Sequence, residues 1–223
     1  PVAMTDDGRR LYYASSRDYG TLGSALAWYD PRTGETRYAD DPIPGHQILS
    51  LHYDRALGSL VASTTMHADC RSCPPTSERC FFALLSATDL SLTEWTAAPA
   101  GVESAWLGPQ GGGSYLATCV WRDGVGACPR CFVLDAASLD VPEAAAMRPP
   151  PAAAGRILLS LRPGFFLCRR RNRFTVWDLR RERCVRVLWE GEGVYLAEAQ
   201  DTTVYLVRPH EILILEDCLK GIG

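Results

Sequence analysis

The sequence predicts an all-β fold of the β-propeller type, with five visible blades of antiparallel strands. Two observations predict it. A hydrophobic strand running into an acidic or polar turn returns five times, as LAWYDPRTGETRY, FALLSATDLSLTEW, CFVLDAASLDVPE, FTVWDLRRERCVRVLW and ILILEDCLKGIG. The turn position is Asp30, Ser86, Asp135, Asp178 and Glu216, with successive gaps of 56, 49, 43 and 38 residues. A strand-built repeat of that period marks a propeller or a related array. The second observation is that strand signals dominate the whole chain. Runs of aromatic and β-branched residues are cut by Gly, Pro and Asp clusters, and no window has a convincing helical period. The Ala-rich stretch ahead of Pro149, Pro150 and Pro151 reads as a loop carrying a single turn.

Each blade has four strands, a to d, counted from the axis outward. Strand a is read in VAMT, ILSLHY, ESAWLG, RILLSL and VYLAEA, and strand b in LYYAS, SLVAST, SYLATC, GFFLCR and TVYLVR. The recurring segments listed above hold strand c. Strand d is clear in ETRYA, LTEWT and CVRVLW and weak in the third copy. The blades then run approximately over 1–41, 42–97, 98–148, 149–190 and 191–223, as a single propeller or a large part of one. The fifth copy stops at its acidic turn, so it lacks an outer strand. An unpaired edge is a liability, and a longer parent chain is expected. Asp at a turn start bonds nearby backbone N–H groups, so the recurring acids are read as structural.

The bulk numbers narrow the classes. With 223 residues, 47% of them hydrophobic, the chain is ample for a packed core. A net charge of −3 is unlike a general nucleic-acid binder, so no nucleic-acid partner is expected. No apolar run approaches the roughly 18 residues of a membrane span.

These repeats resemble the blades of bacterial β-propellers of the broad WD-type, quinoprotein-like and YVTN-like sort. Trp177-Asp178 stands where WD-type repeats carry their Trp-Asp pair, and RDYGTLGSALAWYDPRTGETRY, continuing through PIPGHQILSLHYD, looks like uncharacterised bacterial propeller modules. The resemblance covers nearly the whole chain. It implies the fold and leaves the function open, because propellers host unrelated activities. The chain departs from a strict WD-type pattern in lacking Gly-His pairs at the matching positions and in its irregular period.

In such a layout the b–c and d–a loops emerge on one face, where ligands commonly bind. The b–c loops are read at 16–24, 66–79, 121–130, 170–173 and 209–211, and d–a loops at 41–46 and 147–155. His46, His67 and His210 fall on this face, with Arg17, Asp18 and Tyr19 in the first loop and Arg170 and Arg171 in the fourth. Tyr19 suits stacking on a sugar ring, or packs on the neighbouring blade. The Arg cluster suits an anion, or is a solvated tip.

Nine cysteines include two C-x-x-C pairs, Cys70/Cys73 and Cys128/Cys131, placed on the b–c loops of consecutive blades. Two such knuckles can make a four-thiolate zinc site. The 54 residues between them exceed the spacing of a compact zinc ribbon. Disulfides are the competing reading, pairing Cys119 with Cys128 or Cys131 and Cys80 with Cys70 or Cys73. Core thiols at Cys80 and Cys131 are the third.

Signatures of catalysis are missing from the sequence: it holds no G-x-S-x-G, phosphate loop or H-E-x-x-H. The expectation is therefore a non-catalytic binding or scaffold module of a larger bacterial protein. Its partner would be a protein domain or a polymeric, carbohydrate-type ligand. The alternatives are a sugar-active lyase or hydrolase with a site near the axis, and a metal-stapled structural module.

Overall fold

A computed structural model describes residues 3–68, 71–122, 127–149, 154–162, 165–178, 181–194, 196–200 and 202–222. The strands follow the repeat. β1 (Ala3–Asp6), β2 (Leu11–Ser16), β3 (Ser24–Tyr29) and β4 (Thr36–Asp40) form the first antiparallel sheet in chain order. β5 (Gln47–Asp54), β6 (Ser59–Thr65), β7 (Phe81–Ser86) and β8 (Leu92–Ala97) form the second, and β9 (Val102–Gly111), β10 (Ser114–Arg122) and β11 (Ala127–Asp135) the third, the two joined into one seven-stranded sheet where Thr65 of β6 pairs with Ser104 of β9. β12 (Arg156–Arg162), β13 (Phe165–Arg170), β14 (Arg173–Asp178) and β15 (Arg183–Glu190) form the fourth. Among the described residues the fifth has three strands, β16 (Leu196–Gln200), β17 (Thr203–Arg208) and β18 (Glu211–Leu215), and no outer strand. The weak outer strand of the third copy is reduced, among the described residues, to one bridge between Arg148 and Cys131. The Ala-rich stretch is a single 3₁₀ turn at Ala144–Ala146.

The chain forms two compact units, residues 1–107 with 112–148, and residues 108–111 with 149–223. In the first unit, strand alternation builds two cores from one sheet. Side chains alternate between the faces of a strand. Leu60 and Ala62 of β6, with Ala83 and Leu85 of β7, pack against Tyr12, Leu26 and Trp28 of the first sheet. Val61, Phe82 and Leu84, from the same two strands, pack against Tyr115, Ala117 and Phe132 of the third. The second sheet is thus buried on both faces, and each large side chain so removed from water stabilises by about 1.5–3 kcal/mol.

Hydroxyl groups satisfy the innermost strands across these seams. Ser24 Oγ accepts the Ile48 N–H at 2.7 Å and Thr5 Oγ1 the Tyr53 N–H at 3.1 Å. One blade further on, Ser50 Oγ accepts the Leu107 N–H at 2.9 Å, and Ser63 Oγ donates to the Ala105 carbonyl at 2.7 Å. A buried backbone group left unpaired costs about 1–3 kcal/mol, so small polar residues in these strands are structural.

The recurring turn acids act as the sequence suggests. Asp30 and Asp135 each accept a backbone N–H two residues on, Ser86 Oγ does the same for Thr88, and Asp178 accepts the Arg181 N–H three residues on; Asp54 bonds in the same way in the β5–β6 turn. Four residues past Ser86 and Asp135 the chain enters the left-handed region at Leu90 (φ 66) and Leu139 (φ 51). Left-handed backbone costs a non-glycine residue about 1–2 kcal/mol. Both leucines are buried in the seams, and that burial offsets the cost.

The second unit packs Leu161, Leu167, Phe174 and Val176 of the fourth sheet with Val204 and Leu206 of the fifth. Cys218 and Leu219, past the last strand, join that core. Arg186 holds this terminal turn by donating to the Asp217 carbonyl at 3.0 Å and the Lys220 carbonyl at 2.5 Å.

His52 of β5 lies 2.9 Å through Nε2 from the Leu107 carbonyl, and burial holds its pKa below the ordinary 6.5 against the opposing effect of that bond. A ring kept neutral in the fold favours folding while the unfolded chain is also neutral. As pH falls below 6.5, the unfolded chain takes up a proton that the folded chain refuses, and stability is lost until the folded pKa is passed. The melting temperature of the wild type is expected to fall more steeply than that of His52→Gln between about pH 7 and pH 5. Equal slopes for the two proteins would contradict this.

Candidate functional site

The connections at one end of the first unit are tied to one another by side chains. β4 passes into β5 through 41–46. Asp41 adopts φ 51, donates its N–H to the Ser24 carbonyl at 2.8 Å and accepts the Gly45 N–H on Oδ2 at 2.9 Å. Arg17, directly after β2, reaches Asp40 at 2.9 Å and Asp41 at 3.8 Å. Gly23 lets Asp41 in: it sits at φ +100, and a Cβ there would lie 2.0 Å from Asp41 Oδ1. His46 closes the connection on its other side. It is 3% exposed, with Nδ1 2.8 Å from the Pro44 carbonyl, Nε2 3.1 Å from the Arg79 carbonyl, and its ring against Phe81. The Gly20 N–H donates to Ser72 Oγ at 3.0 Å, which joins the b–c loops of the first and second blades.

The same arrangement recurs one blade on, with stronger charges. Thr65 at the end of β6 bridges Ser104 of β9, and Met66 donates its N–H to the Glu103 carbonyl at 3.1 Å. The Glu103 carboxylate is nearly buried and fully used. Oε1 accepts from Arg122 Nε at 2.5 Å, and Oε2 lies 3.2 Å from Arg122 Nη2, 3.1 Å from Arg71 Nη2 and 3.3 Å from His67 Nε2. The Arg122 hydrogen bonds hold this carboxyl below its ordinary 4.5, against the opposing effect of burial. Arg71 and His67 come from the b–c loop of the second blade and Arg122 from the end of β10. One acid thus clamps the loops of two blades.

Of the residues singled out from the sequence, Arg17, Asp18, Tyr19, His46 and His67 lie in this first unit. Arg170, Arg171 and His210 lie in the second. Asp18 is exposed, and Tyr19 is 79% exposed rather than packed on a neighbour. His46 and His67 are struts, with ring nitrogens directed at loop carbonyls and at Glu103. In the second unit Arg170 and Arg171 are exposed at the β13–β14 turn, where Arg171 has φ 55. His210 is exposed at the β17–β18 turn, which an Arg208–Glu211 ion pair spans. Asp41, Arg71, Glu103 and Arg122 were not anticipated. A charged residue at the entry to an otherwise apolar inner strand, as Glu103 is in ESAWLG, was the available signal.

The cysteines divide by environment. Cys80 and Cys119 are core thiols of the first unit, and burial pushes Cys80 up to about 12 and Cys119 well above its ordinary 9.0. Among the described residues, Cys73, Cys80, Cys119, Cys168, Cys184 and Cys218 are free thiols. The Cys128-Pro-Arg-Cys131 string lies within β11 and not in a b–c loop, because β10 and β11 extend their pairing to Arg122 and Ala127. Cys131 Sγ donates to the Arg148 carbonyl at 3.3 Å. Cys70 and the side chain of Cys128 lie outside the described residues.

No protein-family model matches the chain, and no curated protein matches it either. Solved structures do match, at identities that speak for the fold alone. Hydrazine synthase of Kuenenia stuttgartiensis aligns with 95% of this chain and 69% of its own, at 11% identity and a TM-score of 0.62. The uncharacterized protein lmo1340 of Listeria monocytogenes EGD-e aligns with 92% of this chain and 58% of its own, at 6% identity and a TM-score of 0.53. The AfRom2 CNH domain aligns with 96% and 62%, at 11% identity and a TM-score of 0.50. The chain thus spans less than two thirds of the latter two. Its sheets and these likenesses define a propeller-type repeat module. Among the described residues, no helix is long and apolar enough to cross a membrane.

Gly23→Ala meets both a forbidden φ and the Asp41 carboxylate at 2.0 Å. It is expected to destabilise the chain by about 1–3 kcal/mol in denaturant unfolding. A variant as stable as wild type would show that the Arg17–Asp41 connection relaxes freely.

Proposed function

We propose that this chain is a non-catalytic docking module of a longer protein, and that it engages a partner protein on the b–c and d–a loops of its first unit. The observation that supports this reading is the clamping of those loops. Asp41, His46 and Glu103 each fix connections from more than one strand, so the loop face is set before any partner arrives. A face ordered in advance loses less entropy on binding. Rigid scaffolds with fixed loops are where binding residues gather. The ring nitrogens of His46 lie against backbone carbonyls and that of His67 against Glu103, which favours holding over proton transfer. A polymeric sugar is the second candidate ligand, and the exposed ring of Tyr19 is the feature that favours it.

A photo-crosslinking residue placed at Tyr19, at Glu78 or at Leu57 tests the docking face in the producing cell. Tyr19 and Glu78 belong to the proposed face, and Leu57 to the β5–β6 turn at the other end of the sheet. One protein adduct formed from Tyr19 and Glu78, and not from Leu57, is expected. Equal adducts from all three positions, or none from any, would overturn the reading. Zinc held by Cys70, Cys73, Cys128 and Cys131 is a separate proposal for the same unit. It predicts stoichiometric zinc in the purified chain and a lower melting temperature with chelator. A metal-free chain whose melting ignores the chelator sinks it.

A further inference from the structure

We infer that Arg71 and Arg122 form a recognition site for carboxylate groups on an acidic segment of the docked protein. The inference rests on the docking reading and names what the partner presents. The argument begins with charge. Glu103 contributes one negative charge to two permanently charged guanidinium groups and to His67. Its side chain is 12% exposed, whereas those of Arg71 and Arg122 are 59% and 43% exposed. Among the described residues, the negative charge is therefore on the buried side and the positive charge on the solvent side.

Donor geometry points the same way. A guanidinium carries five N–H donors in a fixed plane. Arg122 spends Nε and Nη2 on Glu103, and Arg71 spends Nη2. The other donors of both groups have no acceptor among the described residues. Because Glu103 grips each guanidinium from inside, the outer edges are held in place for a planar carboxylate, which Arg engages in a paired fashion.

The backbone under Arg122 is fixed as well. Its N–H donates to the Gly101 carbonyl at 2.8 Å. Gly101 packs so closely that an added Cβ would lie 2.6 Å from the Arg122 carbonyl oxygen. On the same hairpin, Arg130 lies over the Trp121 ring at 4.9 Å and adds a third cation. An acidic stretch of polypeptide matches several cations at once in a way that a single small anion does not, and such complementarity acts strongly on association rate and specificity.

The test uses the whole chain and a hexaglutamate peptide, titrated by calorimetry at low salt, with inorganic phosphate as a second arm. Saturable peptide binding that weakens as salt is raised is expected. Arg71→Gln should weaken it about tenfold, the scale of one charge-assisted hydrogen bond, and Arg71→Lys should recover part of the loss. Arg71 is the more exposed partner, and an unchanged melting temperature in Arg71→Gln separates lost binding from lost folding. The inference is overturned if the peptide does not bind, if Arg71→Gln binds as wild type does, or if phosphate binds as tightly as the peptide. Crosslinks from Tyr19 and Glu78 that persist in those cases leave the docking reading standing and remove only this one.

Discussion

The first unit depends on one constraint: the two faces of β6 and β7 must each fit a different neighbour. Leu60, Ala62, Ala83 and Leu85 belong to one seam, and Val61, Phe82 and Leu84 to the other. A slip of one residue would exchange the two sets completely. The register is held at one end by the Asp54 and Ser86 turns. At the other it is held by Thr65, which bonds Ser104 and the Glu103 carbonyl. Ser63 shows how closely the pattern is tuned: it occupies a core position of β6 and is polar because its hydroxyl must reach the β9 backbone.

The loop face follows from the same logic carried past the strand ends. Where the apolar seam stops, charge takes over. Asp41 and Glu103 follow consecutive blades and tie down the loops beside them. The ties differ in what they leave outside. Around Asp41, Arg17 is divided between two carboxylates, so the local charge is balanced or negative. Around Glu103, among the described residues, it is positive. The face therefore has two electrostatic ends.

Most of the fold was legible in the sequence because its signals are local. Strand a, b and c positions in every copy fall within a few residues of the observed elements. The turn acids bond as turn acids do. The third outer strand read as weak in the sequence, and it is one bridge among the described residues. The site was less legible because its members are joined by space and not by spacing. Glu103 is separated from His67 by 36 positions and from Arg122 by 19. Only the strand pairing brings them together. His46 and His67 drew attention as binding-face residues, and their ring nitrogens lie against loop carbonyls and Glu103. The C-P-R-C string read as a loop knuckle because Pro and two cysteines suggest a turn. Pairing along β10 and β11 overrode that local preference, as tertiary context does for strands.

The Thr65–Ser104 bridge has a mechanical consequence. Sheets joined only through side chains can rock about their seam by exchanging one set of rotamers for another. Here main chain crosses the seam, with Met66 bonded to Glu103 and Cys80 to Val102. Rocking at this boundary would have to break backbone hydrogen bonds first. The strand ends that carry Thr65 and Glu103 are therefore locked together by main chain, as a hinge is locked by a pin through both leaves.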